Sequence, residues 1–288
     1  MRRVKRFTLA LVAAVLAAGC GPSGPPAQPS AEPSSRPPAG VSVSLAQWRS
    51  DETAHALEVA VRNTTRTPVH FVDVQLVTPS FRTLPPRRVD ATISTTERTD
   101  LQIPYGPAAC TPERLPEVRP ATVVAHVSTG GQAPRRVVFD VPHPDPLLAR
   151  LLRDECSEFL IKEAADIAFG PGWTESGKAM HGNLVITRRG DGEVTLNDMG
   201  GTTHYIVTPG HRPLGVLAAG RQRLEVPITL TPGRCDPHAF AEAKKAFQFP
   251  VRAAVDGGQE RVVIVVPPKP LQDRLTAYAL KTCGLDGG

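Results

Sequence analysis

Aromatic residues are scarce in this chain, with two tryptophans, three tyrosines and nine phenylalanines among 288 residues. Any core must therefore be mostly Val, Leu, Ile and Ala, and cross-links would help to hold such cores. Catalytic signatures are missing as well. There is no Gly-x-Ser-x-Gly elbow, phosphate-binding loop or His-Glu-x-x-His motif, and Ser176-Gly177-Lys178 lacks the helical spacing of a Ser-Lys dyad. These absences predict a protein that is not an enzyme and needs no cofactor. Cys-x-x-Cys is absent too, which argues against a metal or redox centre built on thiols. The positive charge is local. Setting aside Arg2, Arg3, Lys5 and Arg6 leaves 29 basic against 28 acidic side chains, so composition gives no case for nucleic-acid binding.

What the chain does contain is a stretch written twice. Val137-Val138-Phe139-Asp140-Val141-Pro142 is matched by Val262-Val263-Ile264-Val265-Val266-Pro267. Gly130-Gly131-Gln132 is matched by Gly257-Gly258-Gln259. Trp48 precedes Cys110 by 62 residues and Trp173 precedes Cys235 by 62; Arg98 to Ile103 matches Arg223 to Ile228 at an offset of 125. His55 and His181 follow the two tryptophans by seven and eight residues. Period-two alternation at Val41 to Leu45, Leu57 to Arg62, Val72 to Leu76 and Leu101 to Tyr105 reads as half-buried strands, joined by Ala121 to Val127 and Val137 to Val141. Each copy then closes with a short helix: Leu147, Leu148, Leu151 and Leu152 form one apolar stripe, and Leu271, Leu275, Tyr278 and Ala279 another. A further helix is predicted after Asp236-Pro237. Asp154 and Glu155 would fall near the end of the first helix, where acids oppose the macrodipole.

The N-terminus has a basic start and an apolar run, Phe7 to Ala18, too short to span a bilayer. It ends Leu16-Ala17-Ala18-Gly19-Cys20, which resembles the lipobox of bacterial lipoproteins, with Ala17 where the pattern prefers Leu. The resemblance implies cleavage after residue 19, lipidation of Cys20 and a membrane anchor on the extracytoplasmic face. The Ala, Pro and Arg richness is similar to that of actinobacterial proteins. Residues 20–40 hold seven prolines and four serines and read as an extended, disordered tether. With Cys20 assigned to lipid, four cysteines remain. They allow three pairings, and the repeat selects Cys110 with Cys156 and Cys235 with Cys283, each bridge contributing roughly 3 to 4 kcal/mol on a chain-entropy account. The expected fold is mainly β: two tandem sandwich repeats, 41–160 and 161–288, each with one disulfide. The strand count resembles the immunoglobulin-like class, although the cysteine spacing is not that of antibody domains.

Candidate binding residues are the duplicated Trp48, His55, Trp173 and His181; the structural alternative for the tryptophans is a plug in each core. Met180, His181, Met199, His204 and His211 have side chains that suit copper, but Met180 and His181 are strand neighbours pointing to opposite faces, so no metal site is expected. Arg189-Gly190-Asp191 spells an adhesion tripeptide and reads as hairpin turn chemistry. Asn63-Thr64-Thr65 is a glycosylation sequon by pattern and reads as a turn. Arg87-Arg88, Arg135-Arg136 and Arg188-Arg189 read as solvated strand-edge charge. Together these predict a non-catalytic binding or interaction module of the cell envelope, whose partner is an envelope protein or a cell-wall polymer. The alternatives are an envelope hydrolase with a spatially assembled site and a copper-delivery lipoprotein.

Overall fold

The computed structural model describes residues 35–285. The expected signal segment, Cys20 and the expected tether up to residue 34 lie outside them. No helix among the described residues is long and apolar enough to cross a membrane.

The chain is mainly β, and all of its paired strands are antiparallel. The first half contains β1 (Val41–Ala46), α1 (Arg49–Ala54), β2 (Ala56–Asn63), β3 (Val69–Val77), β4 (Arg87–Ile93), β5 (Thr96–Pro104), β6 (Thr122–Thr129) and β7 (Arg135–Asp140). Then α2 (Pro146–Ala164) leads into β8 (Ala165–Phe169), β9 (Thr174–Ser176), β10 (Ala179–Arg188), β11 (Val194–Met199), β12 (Tyr205–Pro209), β13 (Gly215–Leu217) and β14 (Arg223–Pro232). The chain ends with α3 (Pro237–Glu242), β15 (Phe249–Val255), β16 (Arg261–Val265) and α4 (Lys269–Cys283).

The first half pairs its strands as β1-β2-β5 and β4-β3-β6-β7. The second half pairs them as β8-β10-β14-β12 and β13-β11-β15-β16, with β9 on β10. Apart from β9 and β12, the two orders correspond strand for strand. The fourth strand joins the sheet of the third, whereas antibody constant domains place it in the opposite sheet. The registers agree too: Leu57 faces Ile103, and Gly182 faces Ile228, each residue displaced by 125. Both halves carry a bulge at the same step, between Phe71 and Asp73 and between Leu196 and Asp198. A bulge leaves one residue out of the ladder and bends the strand, so matched bulges mean matched strand paths.

Two aliphatic cores follow from this arrangement. Val59, Phe71, Val123, Val137 and Leu152 belong to one, and Leu184, Leu196, Tyr205, Phe249 and Leu275 to the other. The helix between them serves both. Leu148, Leu151, Leu152 and Cys156 of α2 pack into the first core, while Ile161 and Ala164 pack into the second. Residue 160 is therefore inside a helix of 19 residues, far longer than the short element expected, and no linker separates the halves. Asp145 caps it, accepting from Leu148 N at 2.9 Å, ahead of Pro146.

Two elements of the first half went unread in the sequence. β4 is an edge strand whose one buried side chain is Ile93, so it shows almost no apolar period. α1 covers the outer face of β2, which is why β2 is buried on both faces apart from Arg62. The last residues expected to belong to the disordered tether are instead tied down: Ser35 O accepts from Val138 N at 2.8 Å, and Arg36 O from Arg135 Nη1 at 3.0 Å.

Candidate functional site

α1 is one turn and a half of helix placed where the strands of the first sandwich meet α2. Its entry is fixed by Asp51, whose Oδ2 accepts the Trp48 backbone N–H at 2.6 Å. Its exit is His55, a left-handed cap at φ 51. Histidine tolerates that conformation better than most side chains. The turn aims the imidazole back at the protein. His55 Nδ1 lies 3.0 Å from Tyr105 O, Nε2 lies 3.1 Å from Glu155 Oε1, and the ring stacks on Tyr105 at 4.0 Å between centroids. Both nitrogens thus face acceptors, and both contacts are hydrogen bonds only when the ring carries both protons. Glu155 Oε2 meanwhile accepts from Ala108 N at 2.9 Å. Burial, and next the Glu155 charge, push the Tyr105 hydroxyl well above its ordinary range. Because α2 continues to Ala164, Asp154 and Glu155 are mid-helix and do not oppose its C-terminal dipole end; Glu155 is the carboxylate that anchors His55.

Beside this constellation lies a cleft of about 970 Å³ between the two sandwiches. α2 contributes Arg150, Asp154 and Glu158, the first sandwich adds Gln47, Glu52 and His55, and the second adds Lys245, Gln248, Val262 and Ile264. Lys245 closes one side by pairing with Glu52 across the halves. Arg150 Nη2 donates to Gln47 at 2.8 Å, holding α2 to the segment before α1. The aliphatic strip is open: Val262 is 39% and Ile264 is 37% exposed. Among the described residues no three His, Cys, Asp or Glu are grouped to hold a metal ion.

Of the four residues predicted to bind, His55 alone lines the cleft. Trp48 is 52% exposed, donates its indole N–H to Asp100 at 3.1 Å and lies under Arg98. It plugs no core. Trp173 does plug the second core, with Nε1 donating to Gly170 O at 3.0 Å. His181 points outward from β10 and contacts Thr229 Oγ1 at 3.2 Å. By ladder register His181 corresponds to Ala56 and not to His55, so the two histidines are not a pair. The copper set is dispersed: Met180 and Met199 are in the second core, His181 and His211 are exposed, and buried His204 stacks on Phe240.

The predicted disulfides are present. Cys110 is bonded to Cys156 and Cys235 to Cys283. Asn63 is buried, its amide donating to Thr67 O and Ile93 O, as a turn residue does. Arg188 is no solvated edge charge. Its guanidinium donates to five carbonyls, those of Gly190, Gly192, Leu217, Ala218 and Arg221, and so pins the β10–β11 turn.

The fold and cleft define a mainly β, disulfide-bonded protein with a groove lined from both halves of the chain. No protein-family profile matches the chain, and no curated protein matches it. Among solved structures it is similar to red sea bream transglutaminase, at 12% identity over 81% of this chain and 32% of that one, with a TM-score of 0.25. A Porphyromonas gingivalis W83 protein of unknown function matches at 14% identity over 73% of this chain and 89% of that one, TM-score 0.20. The Amycolatopsis orientalis exo-chitosanase CsxA matches at 9% identity over 72% and 25%, TM-score 0.18. The chain spans about a third of the transglutaminase and a quarter of the chitosanase. Scores this low lend no functional argument.

Proposed function

We propose that this chain is a membrane-anchored extracytoplasmic lipoprotein acting as a non-catalytic binding module, with an envelope protein seated in the cleft between two copies of one sandwich. The observation that carries this reading is the cleft itself. Its lining comes from both halves and sets an open aliphatic strip, Val262 and Ile264, among ionic side chains. Interfaces between proteins combine these features, an apolar centre with a polar rim, whereas a polymer of sugars asks for little aliphatic surface. Matched registers and matched bulges support duplication, and duplication supplies a groove wherever the second copy docks against the first.

The test is photo-crosslinking in native cells. A photoreactive residue at Gln248, in the cleft, should trap one recurrent envelope protein. The same residue at Arg66, in the turn at the far end of β2, should not. Equal capture from both positions, or none from Gln248, overturns the reading. The anchor is tested separately by Cys20→Ala, which should move the protein from the membrane to the soluble fraction; retention would show that something else holds it.

A further inference from the structure

Glu58 lies on the outer face of β2, and α1 closes over it until only 6% is exposed. The elements around it bring more negative charge than positive. α1 brings Asp51, 1% exposed; β5 brings Gln102 directly opposite, with Asp100 and Arg98 nearby; β1 brings only Ala46. Two of these carboxylates already have donors. Asp51 accepts from the Trp48 backbone at 2.6 Å and from Gln102 Nε2 at 2.8 Å, and Asp100 accepts from the Trp48 indole at 3.1 Å and from Arg98 at 2.7 Å. Glu58 is left over: its Oε2 is buried and has no donor. An ionised Glu58 would be a third carboxylate charge at a site whose single nearby cation is engaged elsewhere. A protonated Glu58 instead has a hydrogen to share with Asp51. Burial first, then Asp51 and Asp100, push its carboxyl above the usual range, and Arg98 opposes them. A metal does not take the proton's place, since no such group of ligands is present among the described residues.

We propose that the proton on Glu58 is the latch that holds α1 against the first sheet, so that its loss frees α1 and unclasps the inter-domain cleft. The mechanical link is short. α1 carries Glu52, the partner of Lys245 across the cleft, and ends at His55, which Tyr105 and Glu155 hold. An α1 that lifts takes both contacts with it. The raised carboxyl sets the direction: docking is fully stabilised below the ordinary glutamate range and is lost as pH climbs through the higher folded-state value. Nothing in this depends on what the cleft binds, and its test needs no ligand.

Hydrogen exchange on the full chain between acidic and mildly basic pH reads the latch directly. The protection factors of residues 52–55 should fall by up to about tenfold per pH unit between the ordinary glutamate range and the raised folded-state value, as loss of one linked proton requires, and level off above it. Val59, in the β2 ladder, should stay protected. Glu58→Gln keeps the shape and a donor for Asp51, so its α1 should remain protected throughout. A flat wild-type profile overturns the proposal, as does a Glu58→Gln profile that falls like the wild type. Trp48 gives a second readout that needs no Glu58 variant. Its indole leaves Asp100 when α1 lifts, so wild-type fluorescence, corrected with Trp48→Phe for Trp173, should bend in the same pH range; no inflexion there overturns the latch.

Discussion

Gly182 and Leu57 occupy the same step of their ladders, and that one difference sends two equivalent tryptophans to opposite environments. A Cβ on Gly182 would come within 2.3 Å of the Trp173 indole, which lies flat on the bare backbone. In the first half Leu57 fills that space and is fully buried, so Trp48 has no slot and stays outside. Gly182→Ala should therefore overpack the second core and cost about 1 to 3 kcal/mol. Trp48→Ala should cost at most about 1 kcal/mol, because it removes one exposed hydrogen bond and a cation–π contact. Urea unfolding compares them, and equal losses would show that the two indoles are not differently housed. The tryptophan pair was legible in the sequence because both stand 62 residues before a cysteine. Its divergence was not, since the deciding residues lie nine positions further on and meet the indole only through the fold. Glu58 was hidden for a related reason: it looks like the polar step of an alternating strand until α1 covers it.

At the scale of elements, α2 shows what local pattern can and cannot predict. Its first turns were readable from Asp145-Pro146 and the leucine stripe, and Cys156 marked its packing on the first core. Its continuation to Ala164 was not, because beyond Cys156 the buried side chains are Ile161 and Ala164, which face a different core and break the stripe. The misplaced acids Asp154 and Glu155 were the available clue, since carboxylates so near a C-terminus would be unfavourable. A helix shared between two cores couples their unfolding, as neither can melt without removing packing from the other. Calorimetry should accordingly find one transition. Ser157→Pro, placed between the two packing sites, removes a helix hydrogen bond and clashes with the preceding turn at a cost of about 3 kcal/mol. It should split that transition in two. Two transitions in the unaltered protein would mean that α2 is a tether and not a shared strut.

On the scale of the whole molecule, the two halves share a strand order but not a surface. The walls of the cleft come from residues near 50, 105, 155, 202, 245 and 262, so no window of sequence could display it. The disulfides make the difference between the halves measurable. Their loops are nearly equal, with separations of 46 and 48, and chain entropy gives each roughly 4 kcal/mol. Their surroundings differ: Cys156 is fully buried in the first core with Cys110 half-buried at its edge, whereas Cys235 is exposed and Cys283 half-buried at the end of α4. Thiol attack requires access to a sulfur, so a limiting phosphine or thiol should open Cys235–Cys283 first. Alkylation and peptide mapping should then find label on Cys235 and Cys283 while Cys110 and Cys156 remain bridged. Simultaneous opening would mean that the half-buried Cys110 is as open to attack as the exposed Cys235. Selective opening would leave the second sandwich without its cross-link while the first kept its own. The shared helix would then carry that loss to the first core, because Ile161 and Ala164 pack against the half that has been loosened.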